Sequence, residues 1–185
     1  MHMHEILADH LATIQGLRPE GYELQILETG TIRMDTEAHR LGDGWSTVAF
    51  AGHVHEHGGH VTSVDLDVHT ARRVLDRERL TDHVTLREGY SIDWLACMLS
   101  AGQTFDAILL DSDNDAQLIL HEFMIARKLL RRPGLILVDD VVPSSKDVVK
   151  GHQLLPWLDS QQIQYDITER TGGGVRSGVL ATILP

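Results

Sequence analysis

Short apolar runs alternate along the chain with segments in which apolar residues recur at helical spacing. Five apolar runs, each followed by polar or glycine-rich residues, predict buried β-strands at 24–28, 60–66, 84–88, 105–110 and 135–138. Helical spacing predicts helices over 5–17, 44–57, 69–79, 92–100, 116–130 and 150–158. Two final strands, 164–170 and 175–184, are joined by a glycine-rich hairpin loop at 171–174.

This order of elements predicts the fold class. Strands that alternate with helices form a parallel sheet with helices on both faces and right-handed crossovers. The terminal hairpin adds an antiparallel pair, so we predict an α/β, doubly wound, mostly parallel seven-stranded sheet. No internal repeat or linker interrupts residues 1–185, which we expect to form one domain with an N-terminal cover helix in residues 1–20.

Composition narrows the classes of function. The net charge of −11 argues against nucleic acid, because nucleic-acid-binding proteins need a basic surface. No apolar run approaches the roughly 20 residues that span a bilayer, and the N-terminus has no signal-peptide pattern. A single cysteine, Cys97, excludes an internal disulfide and is expected in the core. We therefore predict a cytoplasmic protein without membrane or nucleic-acid partners.

Histidine is unusually frequent, with twelve residues. His53, His55, His57 and His60 cluster in the sequence, and this pattern has two interpretations. One is a transition-metal site. The other, which we favour, is the exposed end of a surface helix that stops at the two glycines before His60.

Polar or glycine-rich residues follow all five predicted parallel strands. In chain order they are residues 28–30, Asp65 and Asp67, residues 89–91, Asp111 and Asp113, and Asp139 with Asp140. Ligands of open α/β sheets bind outside the carboxyl ends of the strands. We therefore expect these residues to surround one binding site.

The loop after the first strand indicates which ligand fits this site. It contains a single glycine, Gly30, and neither a G-x-G-x-x-G nor a P-loop pattern, so no phosphate cradle is predicted. Asp65 ends the second strand, where a carboxylate can accept both hydroxyls of a ribose. The residues thus favour a nucleoside without phosphate, bound in an acidic pocket.

Taken in order, these motifs resemble those of class I S-adenosylmethionine-dependent methyltransferases, with their Rossmann-like fold, over about residues 22–184. Within that class they are most similar to the small cation-dependent O-methyltransferases of the catechol type. The resemblance implies S-adenosylmethionine as cofactor, with Gly44 and Ser46 at the start of the following helix. The cofactor-binding residues implied are Glu28, Gly30, Ser46, Asp65, Gly89, Ser91 and Asp111.

The same resemblance implies a divalent cation, and we expect Mg²⁺ because hard cations prefer oxygen ligands. Its ligands would be Asp111, Asp139 and Asp140. Chelation of two vicinal hydroxyls would orient one of them and lower its pKa for attack on the methyl group. The implied acceptor is a small hydroxylated molecule.

Two departures from the family pattern concern the substrate side of the site. Thirteen residues, 31–43, separate Gly30 from Gly44 where the family has three, and we interpret them as an inserted loop that is either a lid or the mark of a different ligand. Asn114 stands where the catechol-type enzymes have a catalytic lysine. We predict that Lys150, rather than Lys146, supplies the base, with Asp111 as the second catalytic residue.

We therefore predict an S-adenosylmethionine-dependent O-methyltransferase that acts with a divalent cation as a homodimer, in which a second subunit completes the substrate site. Two alternatives stay open. One is a methyltransferase-fold module that binds the cofactor without methyl transfer. The other is a metal-dependent hydrolase or hydroxylase-like enzyme on the same sheet.

Overall fold

Seven strands form one sheet in the computed structural model of the chain. In chain order they are β1 (Leu24–Thr29), β2 (Gly59–Asp65), β3 (Val84–Glu88), β4 (Phe105–Leu110), β5 (Leu130–Val142), β6 (Asp166–Gly172) and β7 (Val175–Leu184). Across the sheet the order is β3-β2-β1-β4-β5-β7-β6, with the first five parallel and β7 antiparallel to both β5 and β6. The predicted fold class is confirmed.

The structure describes residues 1–42, 45–142, 149–172 and 175–185, including all their side chains except those of 41, 42, 170–172, 175 and 176. Within these ranges the helices are α1 (Met3–Gly16), α2 (Glu37–Gly42), α3 (Ser46–His57), α4 (His69–Glu78), α5 (Ser91–Ser100), α6 (Ala116–Leu129) and α7 (Gly151–Ser160). No helix among the described residues has both the length and the apolar character needed to cross a lipid bilayer.

Successive side chains of the central strands enter two different hydrophobic cores. Ile26 and Leu137 pack with residues of α1 and α3 on one face of the sheet. Leu27 and Ile136 pack with residues of α5, α6 and α7 on the other face. Because neighbouring residues of a strand point to opposite faces, a strand covered on both sides needs a continuous apolar run. The polar residues that end each run therefore lie at the edge of the sheet.

Three predictions about local structure were wrong. Strand β5 begins at Leu130 and not at 135. Leu130 pairs with Phe105 and Leu135 with Ala107, so the residues between them form an irregular part of the strand and do not merely link it to the preceding helix. Helix α2 lies inside the segment expected to be irregular. Cys97 is exposed, because α5 packs on the sheet with a different side. Gly44, Lys146 and loop residues 173 and 174 lie outside the described residues.

A buried ion cluster fixes the edge of the sheet opposite to these polar ends. Asp106 has no exposed surface and lies 2.8 Å from Arg18 Nη2 and 2.9 Å from Arg131 Nη1. It also accepts hydrogen bonds from the Tyr22 hydroxyl at 3.1 Å and the Gln25 amide at 2.8 Å. These contacts join the segment before β1 to β4 and β5.

Removal of the Asp106 carboxylate should destabilise the fold strongly. Asp106→Ala leaves Arg18, which is 8% exposed, as an unpaired buried charge, and such losses cost about 3–5 kcal/mol. The free energy of unfolding in urea would measure the effect. The exposed residue Asp9 offers a matched control, since Asp9→Ala should change stability by no more than about 0.5 kcal/mol. Equal stabilities of the two variants would contradict this account.

Candidate active site

The loops at the carboxyl ends of the parallel strands surround a cavity of about 310 Å³. Its wall includes Asp65 after β2, Asp111 after β4, Asp139 and Asp140 in β5, and Lys150 before α7. The cavity lies where β1 is flanked by β2 on one side and β4 on the other, which is the point of an open α/β sheet at which ligands bind. Acidic side chains that are distant in sequence thus share one cavity.

Gly30 allows β1 and β4 to approach closely at the base of this cavity. Its φ of +88° lies in the left-handed region, and an added Cβ would stand 2.4 Å from the Asp111 carbonyl oxygen. The Gly30 amide donates to the Val64 carbonyl, and the Asp111 amide donates to the Thr29 carbonyl, both at 2.8 Å. A side chain at this position would separate the two strand ends.

Glu28 organises the cavity wall from inside the core. Its carboxylate has no exposed surface and accepts hydrogen bonds from the hydroxyls of Ser46, Thr47 and Ser63, the last two at 2.7 and 2.6 Å. Burial raises the pKa of Glu28 to about 7, although the three hydroxyls act in the opposite direction. Glu28 therefore holds the start of α3, and Ser46 in turn lies in the cavity wall.

A second buried carboxylate, Glu122 of α6, was missed by the sequence analysis. It accepts hydrogen bonds from the hydroxyls of Thr29 at 3.1 Å and Ser112 at 2.7 Å, and it is also bonded to Ser91. Burial raises its pKa. The signal was present in the sequence, because Glu122 occupies a helical position on the same face as Ile119 and Ala126, which are buried.

Asp65 combines a place in the cavity wall with a structural role. One carboxylate oxygen accepts the Thr31 amide at 2.8 Å and so ties the loop after β1 to the end of β2. The neighbouring Asp67 accepts the His69 amide at 2.8 Å, as expected for a residue at the start of a helix. Asp65 is thus the carboxylate of this pair that faces the cavity.

Gly89 and Ser91 follow β3 but are not among the residues that line the cavity. The Gly89 amide donates to the Asp65 carbonyl at 2.9 Å, and Gly89 has a φ of +141°. The Ser91 hydroxyl is engaged with Glu122 and does not cap α5. Their predicted contact with the cofactor stays a prediction.

Asp111, Asp139 and Asp140 form a group of carboxylates. One oxygen from each lies within 4.8 Å of the others, and in the described part of the chain no other group of three or more metal-binding side chains meets this criterion. No group of this kind includes His53, His55, His57 or His60. Pairing of β5 with β7 shifts register between Val138 and Val142, and Asp140 adopts a left-handed φ of 57°. This irregularity directs two consecutive residues towards the same group, as bulges beside active sites often do.

Lys150 brings a positive charge to the same carboxylates. Its side chain is only 2% exposed, and Nζ donates a hydrogen bond to Asp111 Oδ1. Burial alone would lower the pKa of Lys150, but attraction by Asp111, Asp139 and Asp140 outweighs it, so the pKa is raised. Lys150 is therefore a charged ammonium in this arrangement.

The first part of the inserted loop is attached to the protein around Trp45. Trp45 is 7% exposed, and the guanidinium groups of Arg40 and Arg77 lie 5.4 and 5.6 Å from the centre of its ring. Trp45 Nε1 donates to the Met34 carbonyl at 3.2 Å, and Asp35 pairs with Arg77 at 2.9 Å. Residues 31–34 consequently form part of the cavity wall.

Comparisons with known proteins agree with this architecture. A family model described as a methyltransferase domain matches residues 40–141. No curated protein sequence is significantly similar. A Klebsiella pneumoniae structure, described provisionally as an O-methyltransferase, is 23% identical with a TM-score of 0.72, covering 98% of this chain and 80% of that one.

Two ligand-bound structures are similar as well. TomG from Streptomyces achromogenes, an O-methyltransferase of tomaymycin synthesis in complex with S-adenosylmethionine, is 20% identical with a TM-score of 0.71, covering 95% of this chain and 78% of that one. An O-methyltransferase from Bacillus cereus in complex with S-adenosylhomocysteine is 23% identical with a TM-score of 0.68, covering 93% and 79%. At these sequence identities, the structural similarity establishes the fold of this chain alone.

The buried state of Glu28 should make stability depend on pH. Between pH 4.5 and about 7 the unfolded chain loses the Glu28 proton while the folded protein keeps it, so stability falls as pH rises. Glu28→Gln removes this dependence. We expect the stability of the wild type relative to Glu28→Gln to drop by about 2–3 kcal/mol between pH 5 and pH 8 in urea denaturation. A constant difference across this range would show that Glu28 ionises normally.

Proposed function

The chain belongs to the methyltransferase-domain family, and we propose that it transfers the methyl group of S-adenosylmethionine to a hydroxyl oxygen of a small molecule with the help of a divalent cation. The observation that carries this proposal is the shared cavity of Asp65, Asp111, Asp139 and Asp140 at the carboxyl edge of the sheet. The ligand-bound relatives, both O-methyltransferases, support the cofactor and the acceptor atom.

The residues around β1 fit the nucleoside half of the cofactor. Gly30 lets the ends of β1 and β4 meet beside the cavity, and Asp65 offers carboxylate oxygens to ribose hydroxyls. Ser46 adds a hydroxyl in the same wall, held in place by Glu28. When bound, S-adenosylmethionine supplies an electrophilic methyl group on a sulfonium sulfur.

The aspartate group fits a hard divalent cation, because carboxylate oxygens are the ligands that Mg²⁺ prefers. Asp111, Asp139 and Asp140 would hold the ion, which when bound would chelate neighbouring hydroxyls of the acceptor and favour loss of a proton from one of them. The ordered loop residues 31–34 would then exclude water on the other side of the cavity.

Charge balance indicates which acceptor fits. Among the described residues, five aspartates, one arginine and one lysine line the cavity, which gives a formal charge of −3. S-adenosylmethionine carries one net positive charge and a divalent cation carries two, so together they neutralise the lining. A neutral hydroxylated acceptor therefore suits the occupied site better than an acid or an amine.

The base role predicted for Lys150 stays a prediction, and the pairing of its ammonium with Asp111 argues against it. A general base must accept a proton near neutral pH, whereas the raised pKa keeps Lys150 protonated beside Asp111. Activation of the acceptor then rests on the cation and the surrounding carboxylates. The homodimer predicted from the sequence stays a prediction.

Cofactor binding should depend on Asp65. Asp65→Asn keeps an oxygen that can accept the Thr31 amide but removes the charge and one acceptor for ribose, so S-adenosylhomocysteine should bind at least about tenfold more weakly in calorimetry. Asp82→Asn, an exposed change elsewhere, should leave the affinity unaltered. Unchanged affinity of Asp65→Asn would place the cofactor elsewhere. Binding of the cofactor with no methyl transfer to any acceptor would favour a binding module.

Methyl transfer should require a divalent cation. We expect transfer to catechol to fall at least about hundredfold in EDTA and to return with Mg²⁺, because cation assistance contributes several kcal/mol. Phenol, which lacks the second hydroxyl, should react poorly under both conditions. Asp139→Asn should lose the Mg²⁺ response. Full activity in EDTA would contradict the role proposed for the aspartates and leave the cofactor site intact.

A further inference from the structure

The backbone around Lys150 is held tightly against the end of β5. An added Cβ on the next residue, Gly151, would lie 2.0 Å from the Val141 carbonyl oxygen, so only glycine permits this approach. Val141 directly follows the two aspartates of β5. The start of α7 is consequently placed so that the Lys150 side chain enters the carboxylate group from the protein interior, with 2% of its surface exposed.

The Lys150 ammonium lies against this group of carboxylates. It donates to Asp111 Oδ1 and is attracted by Asp139 and Asp140, the same three residues whose oxygens converge. In the described part of the chain, Lys150 thus sets one positive charge against the three carboxylates. The carboxylates therefore already hold one positive charge that belongs to the chain.

We propose that Lys150 is the internal counter-ion of the aspartate group and that it weakens the affinity of this group for divalent cations. This inference rests on the proposed cation site. A divalent cation among the aspartate oxygens would lie close to Nζ, and like charges at such short range repel substantially even at an effective dielectric constant of about 20. The cation must therefore displace Nζ from Asp111 or bind against its charge.

Removal of the Lys150 charge should tighten cation binding. In titrations of the full chain with Mn²⁺, followed by water-proton relaxation, Lys150→Met should bind at least about tenfold more tightly than the wild type. Lys150→Gln keeps a hydrogen-bond donor for Asp111 without the charge, so it should also bind Mn²⁺ more tightly than the wild type. It replaces Lys150→Met in the test if that variant folds poorly. Lys150→Arg keeps the charge and should stay closer to the wild type.

Two further variants separate this effect from general changes in charge. Lys128 is exposed on α6, so Lys128→Met removes one lysine charge from the same chain and should leave Mn²⁺ affinity unchanged. Asp139→Asn should abolish the tight binding, which would assign the Mn²⁺ to the aspartate group. Equal or weaker binding by both uncharged Lys150 variants would overturn the inference while leaving the cation site in place. No binding by any variant would overturn the inference together with the cation part of the proposed function.

The wild-type protein allows a second measurement that needs no substitution at Lys150. The sequence has only three lysines, Lys128, Lys146 and Lys150, so the ¹⁵N signals of their side-chain ammonium groups can be assigned readily. Addition of Mg²⁺ should shift the Lys150 signal and speed its proton exchange, as expected when Nζ loses Asp111. If the Lys150 signal stays unchanged at saturating Mg²⁺, the cation neither displaces Nζ from Asp111 nor interacts with its charge, and the inference is wrong.

Discussion

The hydrogen bonding of two buried carboxylates to surrounding hydroxyls is the interaction on which the site depends. The side chain of Glu28, on one face of β1, joins this strand to β2 and to the start of α3. On the other face, Glu122 of α6 joins β1 to the loop after β4 and to α5. A buried carboxylate without such donors would carry a large desolvation cost. Because the donors are short side chains of β1, β2, the loop after β4 and the starts of α3 and α5, satisfying the carboxylates also fixes where these segments lie.

The cavity follows from this arrangement together with two backbone features. Gly30 brings the ends of β1 and β4 together, and the irregular end of β5 directs Asp139 and Asp140 towards Asp111. Each places oxygen atoms from separate strands around one space, which is what recognition of a cofactor and a cation requires. The positive charge of Lys150 completes the group from inside the protein.

Much of this could be predicted from the sequence, because it is encoded locally. Continuous apolar runs identify strands buried on both faces, and polar residues at their ends mark the ligand edge. What could not be predicted depends on partners far along the chain. Whether Glu28 contacts a ligand or supports Ser46 depends on its burial, and the charge state of Lys150 depends on three aspartates that the fold brings together. The exposure of Cys97 could not be predicted either, because the sequence of an apolar helix does not reveal which of its sides packs against the sheet.

The central claim is that one cavity holds both a nucleoside cofactor and a divalent cation, on carboxylates from three strand ends. A crystal structure of the protein with S-adenosylhomocysteine and Mn²⁺, with anomalous data for manganese, tests it most directly. The account predicts the ribose hydroxyls at Asp65 and an anomalous peak among Asp111, Asp139 and Asp140. Cofactor density away from Asp65, or manganese bound only at other residues, would contradict it.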